Sequence, residues 1–199
     1  MTADPKFLSF SDVPERSSRV REDRDRGGDA GTTDREFDFD RTFEAEYARI
    51  ARVIARLVQD PGRAEELAVD VFWKLLHRPE AHGPRVGGWL YRTAVREGLD
   101  EIRRQKRKTR YEAAARLTAP APTPEQVLYQ TERQRRVQAV LSSLAEREAS
   151  LLIGFSEGWT YQEIGDALEL NPGSVGTLLR RAKDAFRREY VKRYGNETR

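Results

Sequence analysis

The chain has 199 residues, no cysteine, two histidines and a formal net charge of +3, and 35% of its residues are charged. The lack of cysteine excludes disulfide bonds and thiolate metal sites, and two histidines alone cannot form a zinc centre. No apolar run resembles a signal peptide or a membrane span, so we expect a cytoplasmic protein without membrane insertion. Such a charged chain fits two small helical domains better than one large core.

Residues 1–39 alternate arginine and aspartate around serine and glycine, and they hold few apolar side chains. We expect a disordered charged tail, because so little apolar burial cannot offset the entropy of ordering. From Asp40, apolar residues recur at steps of three and four, which predicts an amphipathic helix that ends at the turn 60–62. A second helix is predicted over 63–78, and the proline- and glycine-rich segment 79–88 is predicted to be a loop.

The second predicted helix carries more apolar surface than one core-facing stripe needs. We expect that stripe to contain Leu67, Ala68, Val71, Phe72, Leu75 and Leu76. Val69 and Trp73 lie one turn apart beyond that stripe, beside the acidic residues Glu66 and Asp70. We call these four residues the apolar patch; its acidic rim suits a protein partner better than DNA. The alternative interpretation is that Trp73 folds down onto the end of its own helix.

The third predicted helix begins at Trp89 and has two different faces. One arc is apolar and suits a core: Leu90, Tyr91, Ala94, Val95, Gly98, Leu99 and Ile102. The other arc, which we call the basic face, holds Trp89, Arg92, Arg96, Arg103, Arg104, Lys106 and Arg107. A cationic face with an exposed indole is typical of single-stranded nucleic-acid binding, with phosphates on the guanidiniums and a base on the ring. The alternative for Trp89 is that it anchors the helix start in the core.

A proline-rich linker divides the chain. Prolines at 120, 122 and 124 forbid a continuing helix and favour an extended segment. The predicted organisation is a helical domain over 40–112, a flexible linker over 113–124, a second helical domain over 125–193 and a short tail over 194–199.

The second domain is predicted to end in a helix-turn-helix. Helical patterns cover 125–144 and 145–157. Thr160 and Glu163 have the spacing of a capping box, which predicts a helix over 161–168. Asn171 and Pro172 supply an N-cap and a first-turn proline for a last helix with a basic end. Two helices joined by a turn of about three residues form a helix-turn-helix. No strand pattern competes, so the predicted fold class is all-α.

Catalytic patterns are absent from the sequence. The paired glycines lack the lysine and spacing of a phosphate loop, and His77 and His82 have no third ligand nearby. We therefore expect no catalytic residue, no metal, no cofactor and no enzymatic activity.

In this order, the features resemble an extracytoplasmic-function (ECF) type RNA polymerase sigma factor of the sigma-70 family, over about residues 40–191. AEELAVDVFWKL, residues 64–75, resembles region 2.2, and residues 79–107 resemble regions 2.3 and 2.4. Residues 146–190 resemble region 4. The resemblance implies that the apolar patch binds core polymerase and that the basic face binds the −10 element on the separated strand. It implies that the last helix reads the −35 duplex with Ser174, Thr177, Leu178, Arg180 and Arg181.

Four positions depart from the family pattern. Val69 stands where glutamine is usual, and Arg96 stands where asparagine is usual. Gly176 and Leu178 stand where the family commonly has lysine and arginine that contact DNA. Readout of the −35 element then depends on hydroxyls, methyl contacts and groove shape rather than on bidentate arginine.

These features predict a transcription initiation factor that binds core RNA polymerase, directs it to promoters through −10 and −35 elements, and assists strand opening. One alternative is a stand-alone helix-turn-helix regulator, which leaves the basic face and the apolar patch without a use. Another is a sigma-like adapter that binds polymerase without promoter specificity. The implied partners are core RNA polymerase and promoter DNA, with an anti-sigma factor as a further candidate.

Overall fold

The computed structural model describes residues 37–58, 60–115 and 132–195. Its helices are α1 (Phe39–Val58), α2 (Pro61–Leu76), α3 (Val86–Ala115), α4 (Glu132–Leu141), α5 (Glu146–Ser156), α6 (Tyr161–Leu168) and α7 (Pro172–Tyr194). These ranges contain no strand, so the all-α prediction is confirmed. None of these helices combines the length and the apolar character that crossing a membrane requires.

Helices α1, α2 and α3 form an N-terminal bundle around one apolar core. The core contains Ile50, Val53, Ile54, Leu57, Leu67, Val71, Phe72, Leu75, Leu90, Ala94, Val95 and Leu99. Gly98 sets the crossing of α1 and α3, because a Cβ at this position would lie 2.6 Å from Leu57 Cδ1. Only glycine therefore allows the two helices to approach so closely.

The first helix ends at Val58, just before the predicted turn at 60–62, but residues 61 and 62 already belong to α2. Asp60 accepts a hydrogen bond of 3.0 Å from the Arg63 backbone N–H, and Pro61 occupies the first turn. An Asp-Pro pair is a favourable helix start, so α2 begins earlier than predicted. The predicted loop 79–88 is also shorter, since Pro79–Ala81 forms a 3-10 turn and α3 begins at Val86.

The packed structure begins before the predicted boundary at residue 40. Phe37 stacks on His82 with ring centroids 3.9 Å apart. Asp38 accepts from the Arg41 backbone N–H at 2.9 Å and thereby caps α1. The predicted tail before residue 37, the prolines of the linker and the last four residues lie outside the described residues.

Helices α4 to α7 form a C-terminal bundle, in which α6 and α7 make the predicted helix-turn-helix. The capping box is present: the Glu163 carboxylate accepts from the Thr160 N–H at 2.7 Å, and Thr160 Oγ1 accepts from the Glu163 N–H at 3.2 Å. Asn171 Oδ1 accepts from the Gly173 N–H at 2.8 Å and starts α7. The two bundles contact each other through α3 and α1, so the division into two domains stays a prediction.

Candidate protein and nucleic-acid interfaces

The apolar patch on α2 faces solvent. Val69 is 53% exposed and Trp73 is 63% exposed, and the rim residues Glu66 and Asp70 are exposed as well. The Trp73 ring contacts His77 at a centroid distance of 4.5 Å, so it leans toward the helix end without being buried there. Leu76, which its position on the helix assigned to the core, is 46% exposed and enlarges this surface. An apolar surface of this kind can bury against a partner protein.

Most of the basic face of α3 contacts the C-terminal bundle. Arg92 donates to the Ala167 carbonyl oxygen at 2.5 Å and pairs with Glu169 at 3.1 Å. Arg96 donates to both carboxylate oxygens of Glu146, at 3.2 and 3.3 Å. The bond to Glu146 raises the pKa of Arg96. These guanidiniums therefore already have anionic or carbonyl partners within the chain.

The next turns of α3 contact the end of α4. Arg103 donates to the Ser142 carbonyl oxygen at 3.2 Å, and Lys106 donates to the Ala139 carbonyl oxygen at 3.1 Å. Burial lowers the pKa of Lys106, and the nearby Arg193 and Arg103 charges act in the same direction. Arg103 and Lys106 thus also serve the contact between the two bundles.

The remaining members of the basic face have different surroundings. Trp89 is half-buried, so its indole is neither fully exposed nor fully part of the core. Arg104 forms an ion pair with Glu101, a buried carboxylate that also binds Arg63 at 3.1 Å. Arg107 is exposed. The structure therefore brings the predicted residues onto one helix but gives them neighbours that the sequence did not indicate.

A buried aromatic contact joins the two bundles beneath these charges. The Tyr91 hydroxyl, on a side chain that is only 1% exposed, donates to the Ser150 carbonyl oxygen at 2.5 Å. The Tyr91 ring lies 4.2 Å from that of Trp159, and the Arg49 guanidinium lies 3.8 Å from the Trp159 ring centroid. Burial raises the pKa of Tyr91. An aromatic ring with a satisfied hydroxyl and a cation over its neighbour makes a specific contact.

Close backbone approaches and two further polar contacts complete what we call the bundle interface. A Cβ on Gly88 would lie 3.1 Å from the Ala167 carbonyl oxygen, so α3 begins directly against α6. Gln138, which is buried, donates to the Leu57 carbonyl oxygen at 2.6 Å. Arg56 binds Glu157 at 2.5 Å. Sequence reasoning missed Trp159 and Arg49, since no periodic pattern marks residues that meet across two bundles.

The recognition face of α7 is open to solvent. Val175, Leu179 and Ala182 are buried and hold the helix against the bundle. Ser174, Thr177, Arg180 and Arg181 are exposed, and Leu178 is half-buried. All five predicted −35 residues therefore lie on a surface that DNA can reach.

A groove of about 780 Å³ between the start of α3, α1 and α6 has a mixed lining that includes Glu46, Arg49, Asp166 and Glu169. Within the described ranges, no three histidine, aspartate or glutamate side chains are grouped so that they could hold a metal ion.

Comparison with known proteins gives two family matches in the order expected. Residues 42–108 match the sigma-70 region 2 family, and residues 134–186 match the sigma-70 region 4 family. The ECF RNA polymerase sigma factor SigK of Mycolicibacterium vanbaalenii is 29% identical over 73% of this chain and 76% of its own length. SigE of Mycolicibacterium smegmatis, also an ECF sigma factor, is 31% identical over 75% of this chain and 60% of its own length. A solved complex of the sigma factor RpoE with the anti-sigma factor NepR from Bartonella quintana aligns with a TM-score of 0.45 at 17% identity, covering 77% of this chain and 96% of that one.

Proposed function

This chain belongs to the sigma-70 family and directs RNA polymerase to promoters as an ECF-type sigma factor, and we propose that it does so through three separate surfaces. These surfaces are the apolar patch on α2, the basic face of α3 and the recognition face of α7. As an initiation factor it catalyses no reaction of its own, and it acts in the cytoplasm, where polymerase meets its template.

The apolar patch binds core polymerase. Val69 and Trp73 supply the apolar contact, and Glu66 and Asp70 at the rim supply negative charge for a basic partner surface. Large aromatic side chains at the centre of such a patch contribute most to binding energy when a partner covers them. Trp73 is 63% exposed, so its ring contributes little burial free energy to the folding of the free chain. This exposure supports a role in binding a partner.

The basic face of α3 binds the separated −10 strand after the two bundles move apart. Arg92, Arg96 and Arg103 would exchange their partners in the C-terminal bundle for phosphates of the strand. The pair between Arg96 and Glu146 suits such an exchange, since their side chains are 58% and 42% exposed. Ion pairs this exposed contribute about 1 kcal/mol or less, so DNA phosphates can replace the carboxylate at little cost.

Separation of the bundles is also required by distance. The −10 and −35 elements lie about 25 base pairs apart, which is about 85 Å of duplex. With Arg96 paired to Glu146 of the C-terminal bundle, the basic face and α7 cannot each reach its own element.

Core polymerase supplies the free energy for this opening. Breaking the bundle interface exposes Tyr91 and leaves its hydroxyl without the Ser150 carbonyl, and both changes are unfavourable. A partner can shift the equilibrium only by binding the open chain more tightly than the closed one. In the free chain the C-terminal bundle therefore engages Arg92, Arg96, Arg103 and Lys106, and the holoenzyme presents them to the promoter.

The observation that carries this proposal is the succession of a region 2 match and a region 4 match along one chain. It is tested by in vitro transcription with purified bacterial core polymerase and fragmented genomic template. Discrete transcripts that require the protein are expected. Binding to core without new transcripts would instead support the adapter, and DNA binding without core would support the stand-alone regulator.

A further inference from the structure

Tyr161 lies against the recognition helix α7 at Gly176, a position that has no side chain. A Cβ on Gly176 would meet the Tyr161 ring at 3.3 Å from Cε2, 3.8 Å from Cζ and 3.9 Å from the hydroxyl oxygen. The hydroxyl end of the ring therefore lies beside Gly176. Tyr161 is 46% exposed, so the rest of the ring is open to a ligand.

The position of Tyr161 is well defined by its neighbours. It is the first residue of α6, directly after the N-cap Thr160, and the reciprocal bonds between Thr160 and Glu163 fix the backbone on both sides. Among the described residues, no group accepts from or donates to the Tyr161 hydroxyl. A half-exposed aromatic ring on a capped helix start, with a polar end available for a new bond, suits recognition.

The side chains around Gly176 are the ones proposed to contact the −35 duplex. Ser174, Thr177 and Arg180 flank it on α7, and all three are exposed. A phenol beside Gly176 therefore belongs to the same surface, although it comes from the preceding helix. Its hydroxyl can bond a base edge or a phosphate oxygen, and its ring can contact a thymine methyl group.

We propose that Tyr161 is a specificity-determining residue for promoter recognition. Its ring fills the space beside Gly176, where a side chain is missing, and its phenol reads the −35 duplex. This inference rests on the proposed role of α7 in binding the −35 element. The position of the Tyr161 ring then requires Gly176, because a larger residue there would displace the ring.

The test uses holoenzyme reconstituted from core polymerase and this chain, with selection from a promoter library randomised in the −35 element. Y161F removes only the hydroxyl, and Y161A removes the whole ring. We expect Y161A to lower affinity for the selected promoter about 10- to 100-fold and to relax the preference at one or two positions. Y161F is expected to cost about 2- to 10-fold, the value of one hydrogen bond. Y190F removes a hydroxyl near the other end of α7 and should leave the preference unchanged.

A compensating variant tests the spatial relationship between the two residues. In Y161A/G176K the lysine has room to occupy the space of the ring, and we expect affinity to return with a changed base preference. G176K alone places its Cβ 3.3 Å from the ring edge and should disturb recognition more than the double variant does. Melting curves for every variant establish that the helix-turn-helix remains folded.

The outcomes separate this inference from the function on which it rests. If T177A and R181A change the −35 preference while Y161A and Y161F do not, the role of Tyr161 is overturned and the role of α7 stands. A uniform loss across all sequences with Y161A would also overturn it, since that result indicates a phosphate contact without readout. If none of these variants affects the −35 preference, the assignment of α7 fails as well.

Discussion

Arg96 and Glu146 form a two-point ion pair between the helix proposed to hold the −10 strand and the first turn of α5. The guanidinium Nε and Nη2 lie 3.3 and 3.2 Å from the two carboxylate oxygens of Glu146. The same guanidinium geometry binds a phosphate, so the carboxylate occupies the position that the DNA backbone would take. In the free chain Glu146 therefore neutralises a charge that the proposed −10 contact requires.

Removing Glu146 should favour DNA binding by the free chain. In E146A the Arg96 guanidinium loses its anionic partner, and we expect affinity for a single-stranded −10 oligonucleotide to rise about 2- to 5-fold at low salt. Fluorescence anisotropy measures this directly. E44A, which removes an exposed carboxylate on α1, is the matched control and should cause a smaller change. Equal gains for the two variants would mean that only net charge matters.

Reversing the charge of Arg96 should abolish strand opening. R96E removes a phosphate contact and repels the strand, while the apolar patch on α2 is untouched. Permanganate reactivity of thymines near −10 is expected to disappear, and binding to core is expected to persist. In R96E/E146R the ion pair between the bundles returns with inverted orientation, yet opening should still fail. Opening that survives in R96E would refute the assignment of the basic face.

Shortening Trp73 should weaken the complex with core polymerase. W73A removes the largest exposed aromatic group of the apolar patch, and losses of about 2 kcal/mol, or about 30-fold in affinity, are usual for such central residues. Because Trp73 is 63% exposed, the far-UV circular dichroism and melting temperature should change little. V191A shortens an exposed apolar residue on α7 and serves as the control. Loss of the far-UV helical signal in W73A would contradict this prediction and would indicate that Trp73 is part of the core.

Adding a methyl group at Gly98 should destabilise the N-terminal bundle. The new Cβ would lie 2.6 Å from Leu57 Cδ1, so α1 and α3 would have to move apart. Overpacking of this kind costs about 1–3 kcal/mol, which urea unfolding can resolve. G62A is the matched glycine variant, because its Cβ would meet Asp60 Oδ1 at an ordinary 3.6 Å. Equal stabilities for G98A and G62A would contradict the close crossing.

The cap of α6 should show a defined pH dependence. Hydrogen bonds from the Thr160 N–H and hydroxyl lower the pKa of the Glu163 carboxyl in the folded state. The ionised Glu163 carboxylate therefore stabilises the folded state in full above its unfolded pKa of about 4.3. This stabilisation is lost as the pH falls through the lower pKa of the folded state. Wild type should melt above E163Q at neutral pH, and the difference should shrink below about pH 4. A difference that stays constant down to pH 2 would show that charge on Glu163 is irrelevant.

Local sequence patterns predicted the helices well, since a helix start depends on a few adjacent residues. The Thr160–Glu163 capping box and the start of α7 at Asn171-Pro172 are present as expected. The start of α2 two residues earlier than predicted has the same local origin, because an Asp-Pro-Gly sequence is typical both of a turn and of a helix start. Here Asp60 caps the following helix.

Local sequence patterns did not predict the bundle interface, and the reason is physical. Periodicity shows that Tyr91 lies on an apolar arc but not that its hydroxyl meets Ser150, which is distant in sequence. It also shows that Arg92 lies on a cationic face but not that Glu169 neutralises it. Contacts between separate bundles leave no spacing in the sequence. Leu76 was assigned to the core for a related reason, since a helical position does not say where the covering helix ends.

The most direct test of bundle separation is transcription by a chain whose two bundles are covalently joined. The chain has no cysteine, so R56C/E157C replaces an ion pair across the bundle interface with two thiols, which a bismaleimide crosslinker with an internal disulfide can join. Both single-cysteine variants serve as controls in core-dependent transcription, with and without reductant. We predict that the crosslinked double variant is inactive and that reductive cleavage of the crosslinker restores it to the level of the single variants. Full activity in the crosslinked protein would contradict the claim that the closed chain must open to bind the promoter.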